Sequence, residues 1–189
     1  MSVVHRTPST FTNAEFERLV RSGGFGRTRV ELRRGFIFKM KAQYVPHAHA
    51  KRLLAEAIES GLQHAALDWR TLQGVSVDFV GNFSPLPDIV VWDPAAAPAD
   101  LDGPVPARAV RLIVEVADST LSDDLGEKLE DYATGGLTEY WVVDVKGRQI
   151  LQHSGPGNAT YARRDPVRFG EVLTSRAYPQ LRVDTSALA

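Results

Sequence analysis

Cysteine is absent from all 189 residues of the sequence. Its absence excludes disulfide bonds, thiolate metal ligands and a cysteine nucleophile, and it is compatible with a reducing compartment. A second absence is that of long apolar runs. The segment from Met1 to Pro8 lacks the apolar core of a secretory signal, and no stretch approaches the ~18 apolar residues of a membrane span. We therefore expect a cytoplasmic protein that does not cross a membrane.

An excess of positive charge is also missing, because 22 basic residues stand against 23 acidic ones, for a formal net charge of −1. This balance argues against a protein that coats nucleic acid nonspecifically. It argues less against a nuclease, since a bound metal ion brings its own positive charge to the phosphate. The length and the 43% of apolar residues fit one domain over residues 1–189.

Hydrophobic periodicity and turn residues predict a mixture of helices and strands. The helices are predicted from Thr12 to Gly23, from Pro46 to His64 and from Asp123 to Thr134. The strands are predicted in a hairpin over 30–40, at 75–80, 88–92, 110–116, 139–145 and 148–153, and near 160–162 and 171–174. Thr12 and Glu15 have the spacing of a capping box, and four prolines in 94–106 predict an irregular surface loop. The order of elements predicts an α/β or α+β fold.

Two carboxylates occur inside apolar strand sequences. Glu115 lies within Leu-Ile-Val-Glu-Val, and Asp88 follows Pro87 at the start of Ile-Val-Val-Trp. A carboxylate in such a place lies at the rim of the sheet or is held by a cation. If the two strands are neighbours, Asp88 and Glu115 meet and repel each other unless a positive charge lies between them. A hard divalent ion such as Mg²⁺ or Mn²⁺ meets that need.

Lys128 is the candidate for a third group at this place. On the predicted helix it lies roughly 65° from the centre of the apolar stripe, closer than any other charged residue of that turn, and Asp124 is expected to point further away. Each residue also has an ordinary interpretation. Asp88 fits a turn at the start of a strand, Glu115 fits the rim of a sheet, and Lys128 fits an exposed pair with Asp124.

Several segments form a recognisable set: Pro-Asp-Ile-Val-Val at 87–91, the stretch 115–128, and Glu-Tyr-Trp-Val-Val-Asp at 139–144, with weaker similarity at 31–35 and 47–49. Together they resemble the Uma-two family of restriction-endonuclease-like proteins, within the PD-(D/E)XK superfamily. The resemblance implies a restriction-endonuclease-like core in which helices flank a mixed central β-sheet. It also implies hydrolysis of DNA phosphodiester bonds with Mg²⁺ or Mn²⁺.

Residue by residue, the resemblance implies that Asp88 and Glu115, with the Val116 carbonyl, hold the metal. The lysine of the motif is expected two residues after Glu115, where this chain has Ala117, and the displaced lysine matches Lys128. Glu31 is implied as an additional acid near the site.

The histidines His47 and His49 are not predicted to be metal ligands, because no third histidine or cysteine follows at ligand spacing. A position near the substrate phosphate stays open for them.

Three functions are compatible with these observations. The first is a metal-dependent endonuclease that cleaves DNA. The second is a catalytically inactive nuclease fold that serves as a binding or assembly module, which the low net charge and Ala117 favour. The third is a metal-dependent phosphohydrolase that acts on nucleotides. A homodimer is expected, since two-fold dimers are the commonest oligomers.

Overall fold

A six-stranded mixed sheet forms the centre of the structure, a computed structural model that describes residues 9–189. The expectation that residues 1–8 carry no signal sequence lies outside the described residues. The helices are α1 (Asn13–Arg21), α2 (Val45–His64), α3 (Leu121–Asp124) and α4 (Glu127–Thr134). The strands are β1 (Val30–Arg33), β2 (Phe36–Lys39), β3 (Arg70–Gln73), β4 (Val77–Asp78), β5 (Ile89–Trp92), β6 (Val105–Pro106), β7 (Val110–Ala117), β8 (Glu139–Asp144), β9 (Gln149–Pro156), β10 (Tyr161–Arg168), β11 (Val172–Thr174) and β12 (Arg182–Asp184).

The strand order in the central sheet is β10-β9-β8-β7-β5-β3. Strands β7 and β8 run parallel, and the other neighbours are antiparallel. The parallel pair is possible because α3 and α4 form the crossover between its two strands. The fold is therefore α+β with a mixed central sheet flanked by helices, as predicted.

Each face of the sheet is covered by its own apolar cluster. On one face, α2 contributes Leu54 and Ile58 to a cluster that includes Trp141 of β8. The C-terminal hairpin of β11 and β12 packs into the same cluster, and it approaches α2 so closely that a Cβ at Gly61 would lie 2.5 Å from the carbonyl oxygen of Arg182. On the other face, Tyr132 of α4 packs with aromatic side chains from β8 and from the β4–β5 connection.

The local signals that rest on turn and cap chemistry are confirmed. Thr12 and Glu15 form both hydrogen bonds of a capping box at the start of α1. The β1–β2 hairpin turns at Arg34 and Gly35, whose φ values of 50° and 82° are typical of the turn that matches strand twist. No helix among residues 9–189 has both the length and the apolar character needed to cross a bilayer.

Three predicted elements were wrong in extent. The strand expected at 75–80 is reduced to Val77–Asp78, and the sheet's edge strand is instead β3, whose polar, partly exposed sequence has no apolar alternation. The helix expected over 123–134 is divided into α3 and α4, because the chain turns at Gly126, where a Cβ would lie 2.8 Å from the Ser122 carbonyl oxygen. The proline-rich segment 94–106 includes a 3-10 turn at Pro94–Ala96 and the short strand β6.

Candidate active site

The register of β5 against β7 places Asp88 beside Glu115. Ile89 is paired with Val114, so the residue before Ile89 lies next to the residue after Val114. The backbone N–H of Val116 donates a hydrogen bond to Asp88 Oδ2 at 3.0 Å. Only 8% of Asp88 and 2% of Glu115 is exposed. Both carboxylates are therefore removed from water, and each depends on its protein partners.

Asp88 is held by side chains from α2 and from the segment just before it. His47 Nε2 lies 3.0 Å from Asp88 Oδ2, while Gln43 Nε2 donates to Oδ1 at 2.8 Å. Lys51 Nζ lies 3.4 Å from Oδ1 and donates to Gln43 Oε1 at 2.7 Å. Burial works to raise the pKa of Asp88, but His47, the Val116 N–H and Lys51 outweigh it and hold that pKa below its ordinary value.

Glu115 has the opposite electrostatic surroundings. Its Oε1 lies 3.2 Å from Lys128 Nζ and accepts a hydrogen bond from the Tyr132 hydroxyl at 2.9 Å. Burial raises the pKa of Glu115 to about 8, aided by the negative charges of Asp124, Asp88 and Glu31, although Lys128 opposes the shift. The charged form of Glu115 is therefore disfavoured at this place.

Lys128 lies between two carboxylates, with its Nζ 3.2 Å from Glu115 Oε1 and 3.2 Å from Asp124 Oδ1. Burial works to lower its pKa, but the charges of Glu115, Asp124 and Glu31 raise it above its ordinary value. The expectation that Asp124 points away from the buried face was wrong, since only 1% of Asp124 is exposed. Asp124 ends α3 and Lys128 lies in α4. The prediction assumed one continuous helix with a rotation of 100° per residue, and this rotation does not apply across the break between the two helices.

Glu31 of β1 is the fourth carboxylate of this region, and 4% of it is exposed. The backbone N–H of Leu86 donates to Glu31 Oε2 at 3.3 Å, and Arg33 Nη1 lies 4.0 Å from Oε1. The same arginine makes a closer pair with Asp123, at 2.9 Å. The structure therefore brings together the predicted residues Asp88, Glu115, Lys128 and Glu31.

A hard divalent cation fits the chemistry of this donor set. Glu31, Asp88, Glu115 and Asp124 offer carboxylate oxygens, which Mg²⁺ and Mn²⁺ prefer. Burial is the main cause of the raised pKa of Glu115, and a cation beside it would favour its charged form. Within residues 9–189, however, no group of three or more histidine or acidic side chains is arranged to hold a metal. A bound cation would therefore displace ammonium groups that now contact the carboxylates.

The sequence prediction missed the side chains that surround Asp88. Gln43 precedes α2 and carries no recognisable signal. His47 and Lys51, in contrast, are four residues apart on α2, a spacing that places them on one helix face, and this signal was available. His49 lies off that face and is exposed.

Comparison with known proteins places these residues in a family. A family described as "Putative restriction endonuclease", Uma2, matches residues 14–186. No curated protein matches the chain. A crystal structure described as "a putative nuclease belonging to DUF820", from Anabaena variabilis, is similar with a TM-score of 0.67 and 16% identity, over 94% of this chain and 97% of that one. At this identity the similarity concerns the fold alone. The match over residues 14–186 shows that the chain belongs to the Uma2 family.

Proposed function

We propose that the protein is a metal-dependent endonuclease that hydrolyses phosphodiester bonds of DNA at the site formed by Asp88 and Glu115. The observation that carries the proposal is the pair of buried carboxylates on neighbouring strands, with Lys128 Nζ 3.2 Å from Glu115. Burying this much charge is costly for folding. The description of the family and the fold shared with a protein described as "a putative nuclease" support the same function.

The metal would be held by Asp88, Glu115 and the carbonyl oxygen of Val116. When bound, Mg²⁺ or Mn²⁺ would supply positive charge that polarises the phosphate and lowers the pKa of an attacking water. Glu31 is close enough to influence the pKa of Glu115, so it would add negative charge beside the metal.

The protein's own side chains would then prepare the site for phosphate. His47 and the Val116 N–H fix the orientation of Asp88, because both contact its Oδ2. Lys128, released from one of its two carboxylates, would orient the attacking water or stabilise the negative charge that develops on the phosphate. Tyr132 keeps Glu115 in place through its hydroxyl.

A catalytically inactive module that binds or assembles is the second candidate. It is favoured by Ala117 at the usual lysine position and by lysines that already neutralise part of the carboxylate charge. A nucleotide phosphohydrolase is the third. Within the endonuclease proposal, we infer a cytoplasmic homodimer.

Calorimetric titration with Mn²⁺ or Mg²⁺, followed by plasmid nicking, tests the proposal. The wild type should bind the ion and nick plasmid, and Asp88→Ala should lose both. Asp100→Ala, on the exposed proline-rich segment, is the control and should retain both. A folded wild type that neither binds metal, with or without DNA, nor nicks plasmid would contradict the endonuclease. Release of phosphate from mononucleotides without nicking would favour the phosphohydrolase.

A further inference from the structure

The chain as a whole has no excess of positive charge, but its first hairpin does. Residues 27–44 contain six Lys or Arg and a single acid, Glu31. We call this segment the basic hairpin. Arg33 and Arg34 are paired with acidic side chains of residues 123–131. The other four basic side chains of the segment are exposed: Arg27, Arg29, Lys39 and Lys41. In the part of the chain that the structure describes, no carboxylate lies within ion-pair distance of any of them.

Two phenylalanine rings are exposed on the same hairpin. Phe36 is 49% exposed and Phe38 is 45% exposed, although phenylalanine is ordinarily buried. In the register of β1 and β2, Phe36 is opposite Arg33 and Phe38 is opposite Glu31, so both rings share the hairpin face of these charged residues. The other face packs against α1 through a small apolar cluster. The exposed rings are therefore not part of a core.

The face that carries the rings adjoins the candidate active site. Glu31 lies on this face and accepts a hydrogen bond from the backbone N–H of Leu86, two residues before Asp88, and the Arg33 guanidinium lies over the Phe38 ring at 5.7 Å from its centroid. Tyr44, which is 73% exposed, precedes α2, the helix that carries His47 to Asp88. Aromatic side chains thus border the site on the hairpin and at the start of α2.

We propose that Phe36, Phe38 and Tyr44 stack with unpaired bases of single-stranded DNA, while the four free cations of the basic hairpin neutralise its phosphates. The proposal rests on the proposed endonuclease function and names its substrate class, a strand with unpaired bases beside the cleavage site. Stacking on aromatic side chains between basic groups is how proteins hold single strands without reading their sequence. In a duplex the bases are already stacked on each other, so these rings would add little.

Charge argues against a second copy of the chain as the occupant of this face. In a two-fold contact the same patch meets itself. The four free cations of one basic hairpin would then approach those of the other, which is unfavourable. A DNA strand, in contrast, brings one negative charge per nucleotide to the same positions.

Fluorescence anisotropy in EDTA with a labelled 20-nucleotide strand, and with the duplex of the same sequence, tests the proposal. The double variant Phe36→Leu/Phe38→Leu keeps apolar side chains and removes the rings. It should bind the single strand at least about tenfold more weakly, while duplex binding changes less than about threefold. Lys39→Gln/Lys41→Gln should weaken binding of both DNA forms and reduce its dependence on salt.

The matched control is Arg163→Gln/Arg168→Gln on β10, an edge strand of the central sheet outside the basic hairpin, where both arginines are exposed. It should bind both DNA forms as the wild type does. Single-strand binding by the leucine variant at wild-type strength would overturn the proposal. The proposal would also be overturned if the leucine variant kept single-strand binding but sedimented as a monomer where the wild type sediments as a dimer. The rings would then belong to a subunit interface.

Failure of the proposed function would look different. Because EDTA prevents cleavage, the anisotropy assay measures binding alone and does not depend on the metal site. If the wild type cleaves no DNA but the leucine variant still loses single-strand binding, the endonuclease is wrong and the binding surface stands. If the wild type cleaves DNA and the leucine variant binds normally, only the binding surface is wrong.

Discussion

Glu115 and Glu139 are carboxylates buried in the neighbouring parallel strands β7 and β8, and they have opposite surroundings. Glu139 is fully buried, and it accepts hydrogen bonds from Trp141 Nε1 and Ser175 Oγ, both at 2.6 Å. The backbone N–H groups of Arg176 and Ala177 donate to it at 3.2 and 2.8 Å. Only neutral groups donate hydrogen bonds to Glu139, whereas Glu115 lies among other acids and one lysine, with the Tyr132 hydroxyl as a neutral donor.

The comparison shows that the Glu139 carboxylate stabilises the fold, whereas the charged form of the Glu115 carboxylate is unfavourable in the fold. Glu139 fastens the segment from Ser175 to Ala177 to the central sheet, since three of its partners lie there. Glu115 has a raised pKa because its environment disfavours the charged form. An environment of this kind is typical of functional sites, where charge is arranged for a ligand.

The largest expected effect is a loss of stability when the Glu139 carboxylate is removed. Glu139→Ala should lower the free energy of unfolding by about 4 kcal/mol, because it leaves buried donors without an acceptor. Guanidinium denaturation measures the change. Cleavage per folded molecule should stay at the wild-type level. A stability close to that of the wild type would show that Glu139 is not an anchor.

Glu115→Gln should change the stability little and reduce cleavage strongly. The free energy of unfolding should stay within about 1 kcal/mol of the wild type, because the amide oxygen still accepts from Lys128 and the repulsion with Asp124 and Asp88 is relieved. Plasmid cleavage should fall at least about 100-fold. Guanidinium denaturation and a nicking assay on the same preparation measure both. A large loss of stability with cleavage retained would reverse the comparison between Glu115 and Glu139.

A smaller effect is expected at the partners of Asp88. His47→Ala should weaken Mn²⁺ binding about tenfold, because groups that orient a ligand carboxylate typically contribute that much to metal affinity. Calorimetry measures the affinity. His49→Ala, two residues further on the same helix and exposed, should bind the ion as the wild type does. Equal losses in both variants would point to a general effect on α2 rather than to the contact with Asp88.

The smallest expected effect is a dependence of the free energy of unfolding on pH, caused by His153, which lies close to Glu139 in the sheet. His153, paired with Tyr140 across β8 and β9, is buried, and burial together with the charge of Arg164 lowers its pKa to about 4. Because the unfolded chain binds this proton more readily, stability is present above pH 6.5 and is lost as the pH falls towards 4. Between pH 7 and pH 5.5 the loss should be about 1 kcal/mol. His153→Leu should flatten this dependence in urea denaturation.

The sequence predicted the parts of the site that depend on one element at a time. Asp88 and Glu115 stood out because an acid within a β-branched run has few stable environments. Their meeting follows from the pairing of β5 with β7, which two adjacent apolar strands indicate. Glu31 came from the family resemblance alone, and the structure places it in the same region.

The remainder depends on contacts that no local pattern records. The break between α3 and α4 arises from the close approach of Gly126 to the Ser122 carbonyl, and it allows Asp124 and Lys128 to be buried together. Strand β3 is an edge strand with few buried side chains, so it leaves no apolar alternation. The anchoring role of Glu139 depends on residues more than thirty positions later in the chain.

The packing of the C-terminal hairpin onto α2 has a consequence for the order in which the chain is made. Leu181 and Val183 complete the cluster that contains Leu54 and Ile58, and these two pairs are separated by most of the chain. During synthesis, α2 leaves the ribosome long before β12, so the part of its apolar face that packs on Leu181 and Val183 stays uncovered until the C-terminal hairpin is made. Chaperones that bind apolar segments should therefore engage the nascent chain at α2 and release it only after β12 has emerged.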